Sequence, residues 1–137
     1  MTTFSLNECR MLYNTAAEKE SAAKQLLALS ETWKDKEALA EGYFGAANMI
    51  LAKYAFFPFT KLSLFETGKN ALEHAIKAAP NVTELRFLRL SIQQSAPHIL
   101  AYYTNIAEDK AFILRHIENE DKILQLTFQT FCQIYEV

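Results

Sequence analysis

The chain has 137 residues, half of them hydrophobic and 22% charged, an ordinary globular composition long enough to bury a core. A net charge of −2 gives no electrostatic reason to expect nucleic acid, and no run of 18 apolar residues exists to make a membrane-spanning helix. Three glycines and three prolines are too few for the turns of a sandwich or barrel, so the expectation is an all-α chain, one domain over residues 1–137, with no linker or low-complexity boundary.

In chain order, helical spacing first runs from about Ser5 to Ser30 through Leu6, Cys9, Tyr13, Ala16, Ala23 and Leu26. Glu18, Lys19 and Glu20 followed by Ser21 leave open one bent helix or two short ones, the second capped by Ser21. Residues 31–36, polar apart from Trp33, read as a connection. A second helix is predicted from about Asp35 to Phe56, striped by Leu39, Tyr43, Ala46, Ala47, Ile50 and Tyr54. Gly42 and Gly45 beside those alanines remove bulk and allow a close neighbour. Pro58 suits the first turn of a third helix, which reaches Ala79 before Pro80 stops it. Gly68 sits mid-helix, where glycine costs about 1 kcal/mol against alanine, so a packing reason is expected.

Asn81 to Glu84 has the form of a capping box, with Thr83 as an alternative cap, opening a fourth helix to about Ser95. Pro97 opens a short fifth helix through Tyr103. Asn105 to Glu108 repeats the capping pattern before a sixth, Ile106 to about Glu118. In residues 121–137, Leu124, Phe128, Phe131 and Tyr135 fit a helix, while Leu124, Leu126 and Phe128 also alternate as in a strand. Helix is the prediction, because no second strand exists to pair with. The sum is about six helices in stacked antiparallel hairpins, an array or a compact bundle.

The fourth helix carries the densest polar signal. At 100° per residue, Leu85, Leu88, Ile92 and Ala96 fall on one face and Phe87 and Leu90 nearly opposite, so the helix is predicted to be packed on both sides. Arg86, Arg89 and Gln93 occupy a strip about 60° wide between those faces. Two readings follow: a strip that binds an anion or a peptide carboxylate, or salt bridges to a neighbouring helix with Asp109, Glu108 or Glu73 as acceptors.

Chemistry-bearing constellations are absent from the sequence. No two histidines stand at i, i+4, and His74, His98 and His116 fit no Cys/His spacing, so no metal is expected. His98, directly after Pro97 at a helix start, is the one to test. The carboxylates are dispersed, no Glu-x-x-His pair occurs, and there is no nucleophile elbow or glycine-rich phosphate loop. No catalytic residue and no cofactor are expected. Cys9 and Cys132 are expected as a reduced pair, a bridge between them being the alternative, and the N-terminus lacks a secretory pattern, so a cytoplasmic location is expected. The aromatic run from Tyr54 to Phe59 is either an exposed docking or membrane-surface patch or a hydrophobic turn tucked between two helices. The tucked turn is the prediction.

Ala71 to Asn81, with its closing proline and asparagine, resembles the second helix of a tetratricopeptide repeat, and Gly42, Tyr43, Gly45 and Ala46 resemble its first. A wider pattern is similar to a group of small bacterial helical proteins. It comprises Gly42, Tyr43, Gly45, Ala46, Ala52, Lys53, Pro58, Lys61, Leu62, Gly68, Ala75, Ile76, Pro80, Glu84, Arg86, Phe87, Arg89, Gln93, Pro97, Leu100, Tyr102, Asp109 and Lys110. This resemblance implies an α-α repeat-like fold and no particular activity.

The functional expectation is a non-catalytic protein–protein interaction module. Lys53, Lys61, Arg86, Arg89 and Gln93 would bind an acidic peptide or partner surface. The alternative is a small-ligand binder or an enzyme of another type, with a pocket formed by Arg89, Gln93, His98 and Tyr102. A third reading is a homodimer, which a large apolar patch at the termini would support.

Overall fold

Scarce prolines and glycines leave little to interrupt the helical spacing, and the computed structural model, which describes residues 4–137, is helical nearly throughout. The α-helices are α1 (Leu6–Ala16), α2 (Glu20–Trp33), α3 (Ala38–Tyr54), α4 (Pro58–Ala78), α5 (Thr83–Ser95), α6 (Ile106–His116) and α7 (Lys122–Tyr135). Single 3-10 turns lie at His98–Leu100 and Ile117–Asn119, and no strand occurs among the described residues. The protein is therefore all-α, with seven α-helices among the described residues where the sequence suggested about six. None is long and apolar enough to cross a membrane. The chain divides after Pro80 into two compact units.

The first unit contains α1 to α4. Its N-terminal stretch is two helices, and the break falls earlier than Ser21, which lies inside α2; Lys19 is the cap residue. The break is stable because α1 loses nothing by stopping there. The Glu18 and Lys19 amides bond back to the Thr15 carbonyl. The Tyr54 hydroxyl donates to the Ala16 carbonyl at 2.8 Å, and the Lys53 ammonium donates to that of Ala17. Carbonyls that a helix end leaves without partners are thus satisfied from α3. Ala16, Ala23 and Leu51 are buried together, with Leu27, Ile50, Tyr54 and Leu64 packed around them.

Helices α3 and α4 form a close antiparallel pair. Lys61 reaches the carbonyls of Ala52 and Lys53 near one end, Gly68 meets Gly45 midway, and His74 meets Glu41 near the other. At the crossing, a methyl added to Gly45 would stand 2.5 Å from the Gly68 carbonyl oxygen and 2.8 Å from the Leu72 amide nitrogen. One added to Gly68 would strike the Gly45 carbonyl and Met49. Backbone packs on backbone here, which is the packing reason expected for Gly68.

The second unit, Asn81–Val137, is built on α5, α6 and α7. Both apolar faces of α5 are covered: Leu85, Leu88, Phe87 and Leu90 are all 5% exposed or less. Phe87 packs edge-on against Phe128 and Phe131 of α7, with centroids at 6.2 and 5.6 Å. The tail is a helix, and Asp121 caps it by accepting from the Leu124 amide at 2.9 Å.

Neither capping box forms as read from the sequence. At the first, α5 begins one residue before the expected acid, with Val82 as cap residue. Its carbonyl takes the Leu85 and Arg86 amides, and Asn81 lies outside the helix. The second box is rewired through α5, where Gln93 takes the Asn105 amide. The fifth predicted helix shrinks to one 3-10 turn, closed by Ala101 at φ 54°, and the sixth ends at His116, two residues early.

Candidate functional site

The arginine–glutamine strip of α5 faces the first turns of α6. Arg89, 4% exposed, donates from Nε to Asp109 Oδ2 at 2.6 Å and from Nη2 to Oδ1 at 2.8 Å. Asp109 is fully buried, so this is a forked ion pair shielded from water, the geometry in which guanidinium recognises carboxylate best. Arg86 adds an N–H to the same Oδ1 at 3.2 Å and another contact to Glu108 at 3.1 Å, with its guanidinium 4.7 Å from the centre of the Phe112 ring. One turn further along α5, Gln93 replaces the missing box. Its Oε1 accepts from the Asn105 backbone N–H at 2.9 Å, and its Nε2 donates to Asn105 Oδ1 at 3.0 Å. A glutamate three residues into α6 would have taken that amide in a capping box. Glu108 turns to Arg86 instead, and only a 3.4 Å contact links it to Asn105.

Arg86, Arg89 and Gln93 are therefore committed to α6 and its cap. Their side chains brace the α5–α6 pair, through two of the acceptors read from the sequence. Among the described residues, no buried side-chain nitrogen or oxygen lacks a partner.

The hydrogen bonds from Asn105 and then Arg86 hold the Glu108 carboxyl below the usual carboxylate range. A lowered folded value stabilises the native state above the unfolded one, and that contribution disappears as pH falls through the folded value. Glu108 is well exposed, so the effect is modest. Replacing Glu108 with glutamine is expected to flatten the acid limb of stability against pH below the usual carboxylate range, without altering stability at neutral pH by more than a fraction of the total. Thermal melts of both proteins across that range check this.

His98 and Tyr102 lie on the segment that joins α5 to α6. His98 is exposed and stacks on Tyr103 at 4.8 Å, while Tyr102 is 5% exposed. His74 lies against Glu41 at 2.8 Å, and His116 bonds the Phe112 carbonyl through Nδ1. No cluster of three histidine, cysteine or acidic residues able to hold a metal occurs among the described residues. Burial pushes the Cys132 thiol up, with Lys110 opposing, which is the reverse of what a nucleophile needs.

Lys53 and Lys61 belong to the first unit, on either side of the α3–α4 turn. Each satisfies helix-end carbonyls, Lys53 at α1 and Lys61 at α3, while remaining exposed. Between them the aromatic run is not tucked away. Phe56 is 86% exposed, Phe57 65% and Phe59 87%, with Leu62 next to them at 49%. The turn between α3 and α4 spans only Ala55–Phe57, too short to fold two rings back onto the helices. A helical wheel was the signal that could have found the third ring: Phe59 lies about 150° around α4 from the face carrying Gly68 and Leu72. The outcome is an aromatic knob flanked by ammonium groups, and from Gly42 to Phe65 the chain carries no acidic residue.

No family profile, curated protein or solved structure matches the chain.

Proposed function

We propose that the protein is a non-catalytic protein-binding module that engages an acidic partner surface through the α3–α4 turn. The observation that carries this reading is the simultaneous exposure of Phe56, Phe57 and Phe59. Three neighbouring phenylalanines in water are costly to keep on a monomer's surface unless something covers them, and aromatic side chains with large buried area are what anchor interfaces. Lys53 and Lys61 beside them favour a partner with acidic groups around an apolar hollow. The residues expected from the sequence divide accordingly: the lysines stay in the binding surface, and Arg86, Arg89 and Gln93 leave it. The array-like stacking implied by the tetratricopeptide resemblance and a cytoplasmic setting belong to the same reading. The small-ligand alternative loses support, since the polar atoms of Arg89 and Gln93 are turned to α6 and Asn105.

A photo-crosslinking phenylalanine at position 59, introduced in the native cell, tests it. The expected result is a discrete protein adduct that is absent when the same group replaces exposed Thr67, and that is lost with Lys53→Glu plus Lys61→Glu. Crosslinking no stronger than at Thr67, or crosslinks to lipid instead of protein, would contradict the proposal. Because the three rings are exposed, Phe56→Ser, Phe57→Ser and Phe59→Ser together are expected to move stability by no more than about 1 kcal/mol while abolishing the adduct formed from position 62.

A further inference from the structure

Helix α7 has a second side. At 100° per residue, Ile123, Leu126, Thr127, Thr130 and Ile134 lie within about 100° of one another, around the helix from the buried Leu124, Phe128 and Phe131. Ile123 is 52% exposed, Leu126 62% and Ile134 69%. No charged residue occurs from Ile123 to Tyr135. A solvent-facing helix side ordinarily carries charges, and this one presents isoleucine, leucine, threonine and glutamine.

We infer that this side of α7 pairs with α7 of a second copy of the chain, antiparallel, about a two-fold axis between Thr127 and Thr130. The charges at the ends of the helix favour that occupant and that direction. Lys122 opens α7 and Glu136 follows its last residue, both exposed. Antiparallel pairing sets Lys122 of each copy beside Glu136 of the other, twice by symmetry, whereas parallel pairing sets like charges together. The apolar pattern has the same symmetry. Ile123 and Ile134 stand near the two ends of the stripe, so Ile123 of one copy meets Ile134 of the other, and the small Thr127 and Thr130 flank the centre where the helices approach. One helix face buries less than a standard interface, so the dimer is weak and depends on concentration. It involves none of the residues of the aromatic turn, and a dimer would carry two such turns.

Sedimentation velocity on the full chain, over a concentration series reaching the millimolar range, tests the inference. The expected result is a shift from monomer to dimer that Leu126→Lys abolishes; Leu126 is exposed, so the fold survives that change. Lys122→Glu is expected to weaken dimerisation about tenfold by turning two attractions into repulsions, and Lys122→Glu with Glu136→Lys to restore it. A monomer across the whole series, a dimer indifferent to Leu126→Lys, or a charge swap that fails to restore what Lys122→Glu removes would each overturn it.

Discussion

Gly45→Ala is expected to destabilise the protein by about 3 kcal/mol, lowering its melting temperature by roughly 10 °C. Helix propensity alone argues the opposite sign, since alanine in place of a mid-helix glycine gains about 1 kcal/mol. The contact decides. The new methyl would stand 2.5 Å from the Gly68 carbonyl oxygen and 2.8 Å from the Leu72 amide nitrogen, and backbone atoms of a helix cannot rotate away as a side chain can. Relief requires α3 and α4 to separate along their length, loosening Phe65, Leu72 and Met49, which are all buried. Gly68→Ala meets the same crossing from the other side and is expected to cost a similar amount. The double variant is expected to cost less than the two singles added, because one separation relieves both. Urea denaturation of the three variants measures this, and a Gly45→Ala protein as stable as the parent would show that the helices are not in backbone contact.

Asp109→Ala is the second large effect, about 3–5 kcal/mol, the range for removing one member of a buried ion pair. Asp109 is fully buried and receives three N–H groups from two arginines, so its loss leaves the Arg89 guanidinium 4% exposed without its principal acceptor. Arg89→Met strands the carboxylate in the same way and is expected to be comparably damaging. Arg86→Met is expected to cost less, because Arg86 is more exposed and one of its partners is Glu108 at the surface. Thermal and urea melts rank the three.

Much of this arrangement is legible in the residues. The two-sided apolar pattern of α5 and the strip between its faces follow from the helical repeat alone, and Asp109 and Glu108 are the nearest downstream acids. What the repeat does not carry is the length of a turn and the identity of each cap. Asn105 and Glu108 have the spacing of a capping box, yet Gln93 of the preceding helix reaches the Asn105 amide and Arg86 draws Glu108 away. A local motif yields to a long-range partner with better geometry. The aromatic turn misled for a related reason. A hydrophobic run at a helix junction is usually buried, but three linking residues give Phe56 and Phe57 nothing to fold onto. The division after Pro80 has no signature in composition, because the connection there is four residues long, as short as the turns of three and four residues inside the first unit.

The role of the arginines as bracing is tested most directly by a double-mutant cycle on Arg89 and Asp109, with Arg89→Met, Asp109→Leu and the pair together, measured by urea denaturation. If the two side chains hold α5 to α6, each single change is strongly destabilising and the double variant recovers much of the loss, with a coupling of about 2 kcal/mol or more. A coupling near zero, with singles as stable as the parent but unable to form the crosslink at position 59, would place the arginines in the binding surface and contradict the structural role.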